Sequence, residues 1–435
     1  MHTSFGRMRS PATALAAGLL FSGGLLSSAP ARQAQEEFAF RNVDVFDGSR
    51  MIRRTNVLVR GGMVRAVGRD VIVPASAQVI DGRGKTLLPG LFDAHIHLGT
   101  WRGEQFLQDA LDFGVTTELE MGGGEASLAL RKRMEAGDIQ DVADLRTAGT
   151  VVTAPGGHPS QMDGPPFPTF APGADAQAFV DARIAEGADY VKIIYEHKYP
   201  TLTKQQLEEI VAAAHRRNKL AVVHVSTQSE ARDAIGAGAD GLVHIFADST
   251  PAPGLAEFVA RHRVFVVPTL SVIEMATAAP GKPWWQGVPH VVAYVTPSMR
   301  RMLDRKFPPG FRPDLKFKHA EAAVRALHRA GVPILAGTDA PSPGLSHGLS
   351  LHRELELLVR SGLTPPEALA SATSGPARAF GFYDRGRIAV GLRADLLLVN
   401  GDPTRDITAT RDIVGIWKLG VPHQRRSADR PTEMR

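Results

Sequence analysis

Cysteine is missing altogether from this 435-residue chain. No disulfide can form, no thiolate can ligate a metal, and no N-terminal cysteine can carry a lipid. The absence suits an oxidising compartment, where a stray thiol is a hazard. Charge of one sign is also lacking, since 50 Lys and Arg stand against 45 Asp and Glu for a formal +5. No Lys/Arg block is dense enough for a nucleic-acid track, and Arg261-His262-Arg263 and Arg300-Arg301 read as solvated helix faces. Long hydrophobic runs are absent too. The stretch from Ala14 to Leu26 is too short and too rich in glycine for a good membrane span. It follows Arg7 and Arg9 and precedes Ala29-Pro30-Ala31, the layout of an export signal over residues 1–31. A periplasmic or secreted protein is expected, with no membrane residence once the signal is removed.

What remains is ordinary globular material, 43% hydrophobic and 22% charged. The length suits a large α/β barrel with a smaller domain beside it. Residues 38–88 alternate like short antiparallel strands, with Gly61-Gly62 between Asn56–Arg60 and Met63–Val67 as a two-residue hairpin signal. Strand patterns return at Gly386–Gly391, Ala394–Val399 and Ile413–Lys418. A composite β-sandwich domain over 32–88 and 381–422 is therefore expected, followed by a frayed tail over 423–435. Between them, 89–380 alternates apolar strands with helical patterns, the mark of βα units and a parallel sheet. Candidate strands at 91–97, 114–120, 145–152, 189–195, 220–225, 241–246, 264–269 and 332–337 number eight, which favours a closed (β/α)8 TIM-like barrel. The connections 154–175 and 270–320 are long enough to be lids or binding loops.

The chain is organised around Leu87–Leu98, an apolar run that ends in His95-Ile96-His97. On a strand the i, i+2 spacing puts both imidazoles on one face, where neutral imidazole can hold a transition metal. Two ligands do not make a site, so the other strand ends must supply more. Active sites of barrels gather at the C-terminal ends of the strands. There the sequence places Lys192 inside Val191–Tyr195, His224 after Leu220–Val223, His244 after Gly241–Val243, and Asp339 after Val332–Thr338. His158, in Gly156-Gly157-His158, and Tyr195 are candidates for touching a small-molecule substrate. His197 could do so as well, while Glu120 and Gly122-Gly123-Gly124 read as a helix entry.

In this order the motifs LPGLFDAHIHL, GADYVKI, AVVHV, GLVHIF and ILAGTDAP resemble those of the amidohydrolase superfamily. The nearest branch is the imidazolonepropionase-like group that includes Xaa-Pro and Xaa-Arg/Lys dipeptidases. The resemblance runs from Phe40 to Trp417. It implies that His95 and His97, with Asp339, hold the more buried metal, and that His224 and His244 hold a second. Lys192 matches the lysine that carries CO2 as a carbamate and bridges the pair. Zinc suits such a ligand set, two ions with the carbamate and one without it. A hydroxide shared by the metals would attack a carbonyl, and Asp339 would carry the proton to the leaving amine.

The expected activity is hydrolysis of a C–N bond, in a dipeptide, an N-acyl amino acid or a cyclic amide. Lactone, ester or organophosphate hydrolysis would use the same chemistry, and an inactive binding protein of the same fold is a weaker alternative. Deamination is disfavoured, because His224 is followed by Val225-Ser226-Thr227 with no carboxylate near it in the sequence. Two other motifs are set aside. Gly236–Gly241 satisfies G-x-G-x-x-G but lies between helix and strand, the reverse of a dinucleotide fingerprint. Gly344–Gly348 satisfies G-x-S-x-G, yet Ser346 falls several residues past the strand and not on an elbow. No nucleic-acid partner is expected, and a homo-oligomer is left open.

Overall fold

A computed structural model describes residues 37–428, apart from 100, 101, 163, 165 and 278–282. Residues 1–31, expected as an export signal, lie outside the described residues, as do 429–435. Among the described residues no helix is long and apolar enough to cross a membrane.

Five strands open the described chain: β1 (Glu37–Phe46), β2 (Met51–Arg60), β3 (Met63–Gly68), β4 (Gln78–Asp81) and β5 (Lys85–Pro89). Arg60 faces Met63 across Gly61-Gly62, whose φ angles of 59° and 74° are those a type I′ turn demands of both central residues. Seven short strands come next: β6 (Leu91–Ile96), β7 (Val115–Glu120), β8 (Asp144–Thr147), β9 (Val191–Ile194), β10 (Ala221–His224), β11 (Gly241–Val243) and β12 (Phe265–Val267). The chain then returns through β13 (Leu396–Asn400), β14 (Ile413–Lys418) and β15 (Val421–His423).

The two ends share one sheet, ordered β15-β14-β13-β5-β1-β2-β3, with β4 also pairing β1. Antiparallel pairing of β5 with β13, Leu87 opposite Leu398, joins N-terminal to C-terminal sequence. Phe38, Phe40, Val57, Leu396 and Trp417 form its core, with the Phe40 ring edge-on to Trp417 at 4.9 Å. One expected strand is absent. Gly386–Gly391 forms turns, although Ile388 and Gly391 donate backbone hydrogen bonds to Asp47 and Val64. The tail is also better held than expected. His423 and Arg426 both reach the buried Asp112 at 2.7 Å, so 423–428 is pinned to the helix Gly103–Asp112. Buried carboxylates require such partners.

The middle of the chain alternates strand and helix, and all of its pairings are parallel. β6, β7 and β8 form one ribbon and β9, β10, β11 and β12 another. Single bridges link them: Val152 to Ile193, Val266 to Ile334, and Ala340 to Ile96. Traced from segment to segment, these pairings return to their start. The stretch expected as the strand 332–337 carries a single bridge, Ile334 to Val266. Pro333 has no N–H to donate, and its carbonyl accepts from Val266 instead.

Two apolar layers sandwich the ring wall. Val191, Ile193, Val223 and Leu242 pack outward against helices, whereas Phe92, Tyr190, Val222, Val243 and Leu335 form a second cluster inside. Side chains along a strand alternate between its two faces. Tyr190 and Val222 point inward, so Lys192 and His224 do so one step further along.

Candidate metal centre

The end of β6 brings its histidines together as the spacing implies. β6 pairs with β7 out of regular register between Asp93 and Ile96. His95 Nε2 and His97 Nε2 then lie 3.2 Å apart. Asp339 Oδ1 is 3.2 Å from the first and 3.1 Å from the second. Asp339 itself has φ 65°, in the left-handed region that aspartate tolerates better than most residues. Ser342 Oγ donates to its other oxygen at 3.1 Å.

From the opposite side of the ring the His244 imidazole lies 4.7 Å, centre to centre, from that of His95, and His224 lies 4.7 Å from His244. Donor atoms of His95, His244 and Asp339 fall within 4.8 Å of one another. Lys192 is buried at 1% exposure, close enough to His95 and Asp339 for its charge to act on both. Burial pulls its ammonium down to about 7, against the attraction of Asp339 and Glu120. His158 stands 5.3 Å from His224, and burial together with that neighbour pushes it down to about 3, which keeps the ring neutral.

A second set of residues orients the first, and sequence reasoning missed most of it. Glu120 is fully buried. Its carboxylate accepts from the Gly122 amide at 2.6 Å and Thr147 Oγ1 at 2.5 Å, and lies 3.8 Å from His97 Nδ1. Asp93 accepts from Thr338 Oγ1 at 2.7 Å and from the amides of His95 and Thr338, tying β6 to the last ring segment beneath the site. Thr269 Oγ1 sits 2.5 Å from His244 Nδ1. Imidazoles that bind metals are commonly held in this way through the second nitrogen.

Three expectations are corrected here. Tyr195 does not face the ring. It lies on the outward side with Val191 and Ile193, and its hydroxyl donates to Asp233 at 3.3 Å. His197 is likewise taken up by Glu230, at 3.2 Å. A carboxylate does stand beside His224, because Glu196 Oε2 is 3.4 Å from Nε2. Glu196 comes from the end of the neighbouring strand, so adjacency in sequence could not reveal it. Ser346 is buried, and the next residue, His347, is paired with Glu118 at 3.0 Å and not offered to the serine.

The donor chemistry fits a transition metal. Three imidazoles and a carboxylate converge, and His95 Nδ1 is buried without a hydrogen-bond partner among the described residues. A buried polar atom left unpaired is costly unless something else engages it.

Helices alternating with parallel strands, and imidazoles gathered where those strands end, define an α/β ring protein with its polar site at the strand ends. The chain belongs to the amidohydrolase family, whose model matches residues 86–424, and it is a hydrolase acting on carbon–nitrogen bonds. Among its relatives, the imidazolonepropionase of Deinococcus radiodurans is 28% identical over 385 residues, covering 83% of this chain and 89% of that protein. Among solved structures, a Xaa-Pro dipeptidase with methionine bound in its active site superposes with a TM-score of 0.73 at 22% identity, over 89% of this chain and 100% of the other. A prolidase complexed with N-methylphosphonate-L-proline gives 0.68 at 20% identity, over 90% of this chain and 100% of the other. The structural likenesses establish the fold.

Proposed function

We propose that the protein is an exported, metal-dependent hydrolase of the amide bond in a dipeptide or N-acyl amino acid. The observation that carries this reading is the convergence of His95, His97, His244 and Asp339 from three separate segments of the chain. His95, His97 and Asp339 would hold one zinc ion and His224 and His244 a second. Lys192 would join the two sets as a carbamate, which offers anionic oxygens where an ammonium would repel a dication. Burial favours the neutral amine from which a carbamate forms. A bound dication supplies Lewis acidity toward the scissile carbonyl and acidifies water.

The chain's own residues supply the rest. Asp339 Oδ1 is the base that takes the proton of the attacking water, and its carboxyl then delivers that proton to the leaving nitrogen. The neutral imidazole of His158, beside His224, is placed to hydrogen-bond the substrate carbonyl. Ser342 steadies Asp339, and Glu120 steadies His97. The apolar floor of Phe92, Val222 and Val243 excludes water from below. The dipeptidase and prolidase structures support an amino-acid amide as the substrate class, and the imidazolonepropionase relatives support a cyclic amide as a close second.

A zinc-loaded preparation assayed against Xaa-Pro and Xaa-Arg dipeptides, N-acyl amino acids, cyclic amides and a lactone tests the proposal. Chelator-sensitive cleavage of an amide is the expected result. Activity that survives the chelator but is lost in Ser346→Ala would contradict it. Export is tested by N-terminal sequencing of the protein from a bacterial periplasmic fraction, where a start near residue 32 is expected.

A further inference from the structure

Glu196 enters the site from outside every recognised motif. The strand period carries the inward face of β9 from Lys192 through Ile194 to Glu196, which is 3% exposed. What touches its carboxylate comes from distant parts of the chain. Ser226 Oγ, just past β10, donates to Oε1 at 2.9 Å. Arg312 Nη1 donates to the same oxygen at 2.8 Å and to Ser226 Oγ at 3.4 Å. His224 Nε2 lies 3.4 Å from Oε2.

Arg312 belongs to residues 304–316, an irregular segment between the helices Pro297–Leu303 and Phe317–Arg329. Asp314 grips the other edge of its guanidinium, accepting from Nη2 at 2.8 Å. One further bond holds the segment to the same strand exit, because Lys198 Nζ donates to the Phe311 carbonyl at 3.2 Å. Asp314 is half exposed, so of the two carboxylates that grip Arg312 the buried one is Glu196.

We infer that Glu196 is a positioning residue shared by two tasks: it steadies the His224 imidazole and, through Arg312, holds residues 304–316 at the mouth of the ring. The inference rests on the proposed metal centre only for the His224 half. A buried carboxylate that loses its cation becomes an uncompensated charge, and a guanidinium that loses its buried acceptor turns to solvent. Substitutions at the two ends of the pair therefore have unequal effects. Glu196→Gln takes the carboxylate from both the histidine and the segment, whereas Arg312→Met frees the segment and leaves Glu196 to Ser226 and His224.

Hydrogen exchange of residues 304–316, read by mass spectrometry on the full chain without added metal, tests the segment half. Faster exchange is expected in both variants, with protection largely restored in Arg312→Lys, which keeps the charge. Zinc affinity by chelator competition tests the other half. Glu196→Gln should weaken it by roughly 10- to 100-fold, the usual cost of losing an outer-sphere partner. Arg312→Met, which keeps the carboxylate beside His224, should weaken zinc affinity less than Glu196→Gln does but raise KM severalfold, with a smaller change in kcat. Unchanged exchange in Glu196→Gln would overturn the holding of the segment, and unchanged zinc affinity in that variant would overturn the hold on His224. A wild-type chain that binds no zinc, yet whose variants exchange faster, would refute the metal centre and the His224 half while supporting the segment half.

Discussion

Lys192 shows how burial sets the chemistry of a single side chain. The floor of the ring strips water from its amine, and the folded-state value falls from 10.5 to about 7. In the unmodified chain without metal, the unfolded state binds more protons than the folded one between those values. Stability contributed by this group therefore rises with pH from about 7 towards 10.5 and is lost below it. Carbamate formation needs the neutral amine. Bicarbonate-stimulated zinc uptake, measured by dialysis and elemental analysis, should be greater at pH 8 than at pH 6, and Lys192→Arg should abolish the stimulation. Asp339→Asn, which removes the proposed proton carrier, should lower kcat by about 10^2- to 10^4-fold in a steady-state assay. At this scale the ligand candidates were legible because a histidine, lysine or aspartate ending an apolar strand is an exception to its surroundings. Glu120 and Glu196 were not. A buried glutamate looks like a surface glutamate until its partners are placed, and Arg312 lies 116 positions from Glu196. Tyr195 misled for the opposite reason, since it stands one residue off the face that turns inward.

The elements are legible where pattern and hydrogen bonding agree. The hairpin at Gly61-Gly62 and the alternation of β1 and β2 follow from residue types alone. The last ring segment does not form a ladder, although its sequence is apolar, because Pro333 breaks the donor row and Gly337 is needed for close approach. A Cβ on Gly337 would lie 2.8 Å from the His95 amide nitrogen and 2.5 Å from Val267 Cγ1. Neither neighbour can yield without moving a strand. Gly337→Ala is therefore expected to shift β6, lowering both thermal stability and zinc affinity, whereas Gly84→Ala, with nothing within 4 Å of the new atom, should leave zinc affinity intact even though its φ of 74° strains the turn. Calorimetry and zinc titration of the two variants give the comparison.

The whole molecule depends on contacts between the terminal sheet and the ring. Asp144, at the start of β8, receives Lys418 from β14 at 2.5 Å and Arg393 at 2.9 Å, with Arg385 as a third cation. Burial alone would raise its carboxyl, yet these cations hold it well below the usual carboxylate range. The stability it contributes is present above its unfolded value of about 4 and is lost as pH falls towards the folded value. Removing the carboxylate strands three cations together, so Asp144→Asn should cost about 3 kcal/mol in urea unfolding at pH 7, with a smaller difference from wild type at pH 3. The composite sheet was legible because strand-like patterns bracket a long α/β middle. The pinned tail was not, since its anchor Asp112 lies 311 positions from His423.

The proposed centre holds two metals on one chain, assembled across the ring. The most direct measurement is the number of zinc equivalents retained per chain after loading with bicarbonate and exhaustive dialysis, compared between wild type and Lys192→Ala. Two equivalents in the wild type and one or fewer in the variant is the predicted result. No zinc retained by the wild type, or the same number retained by both proteins, would contradict it.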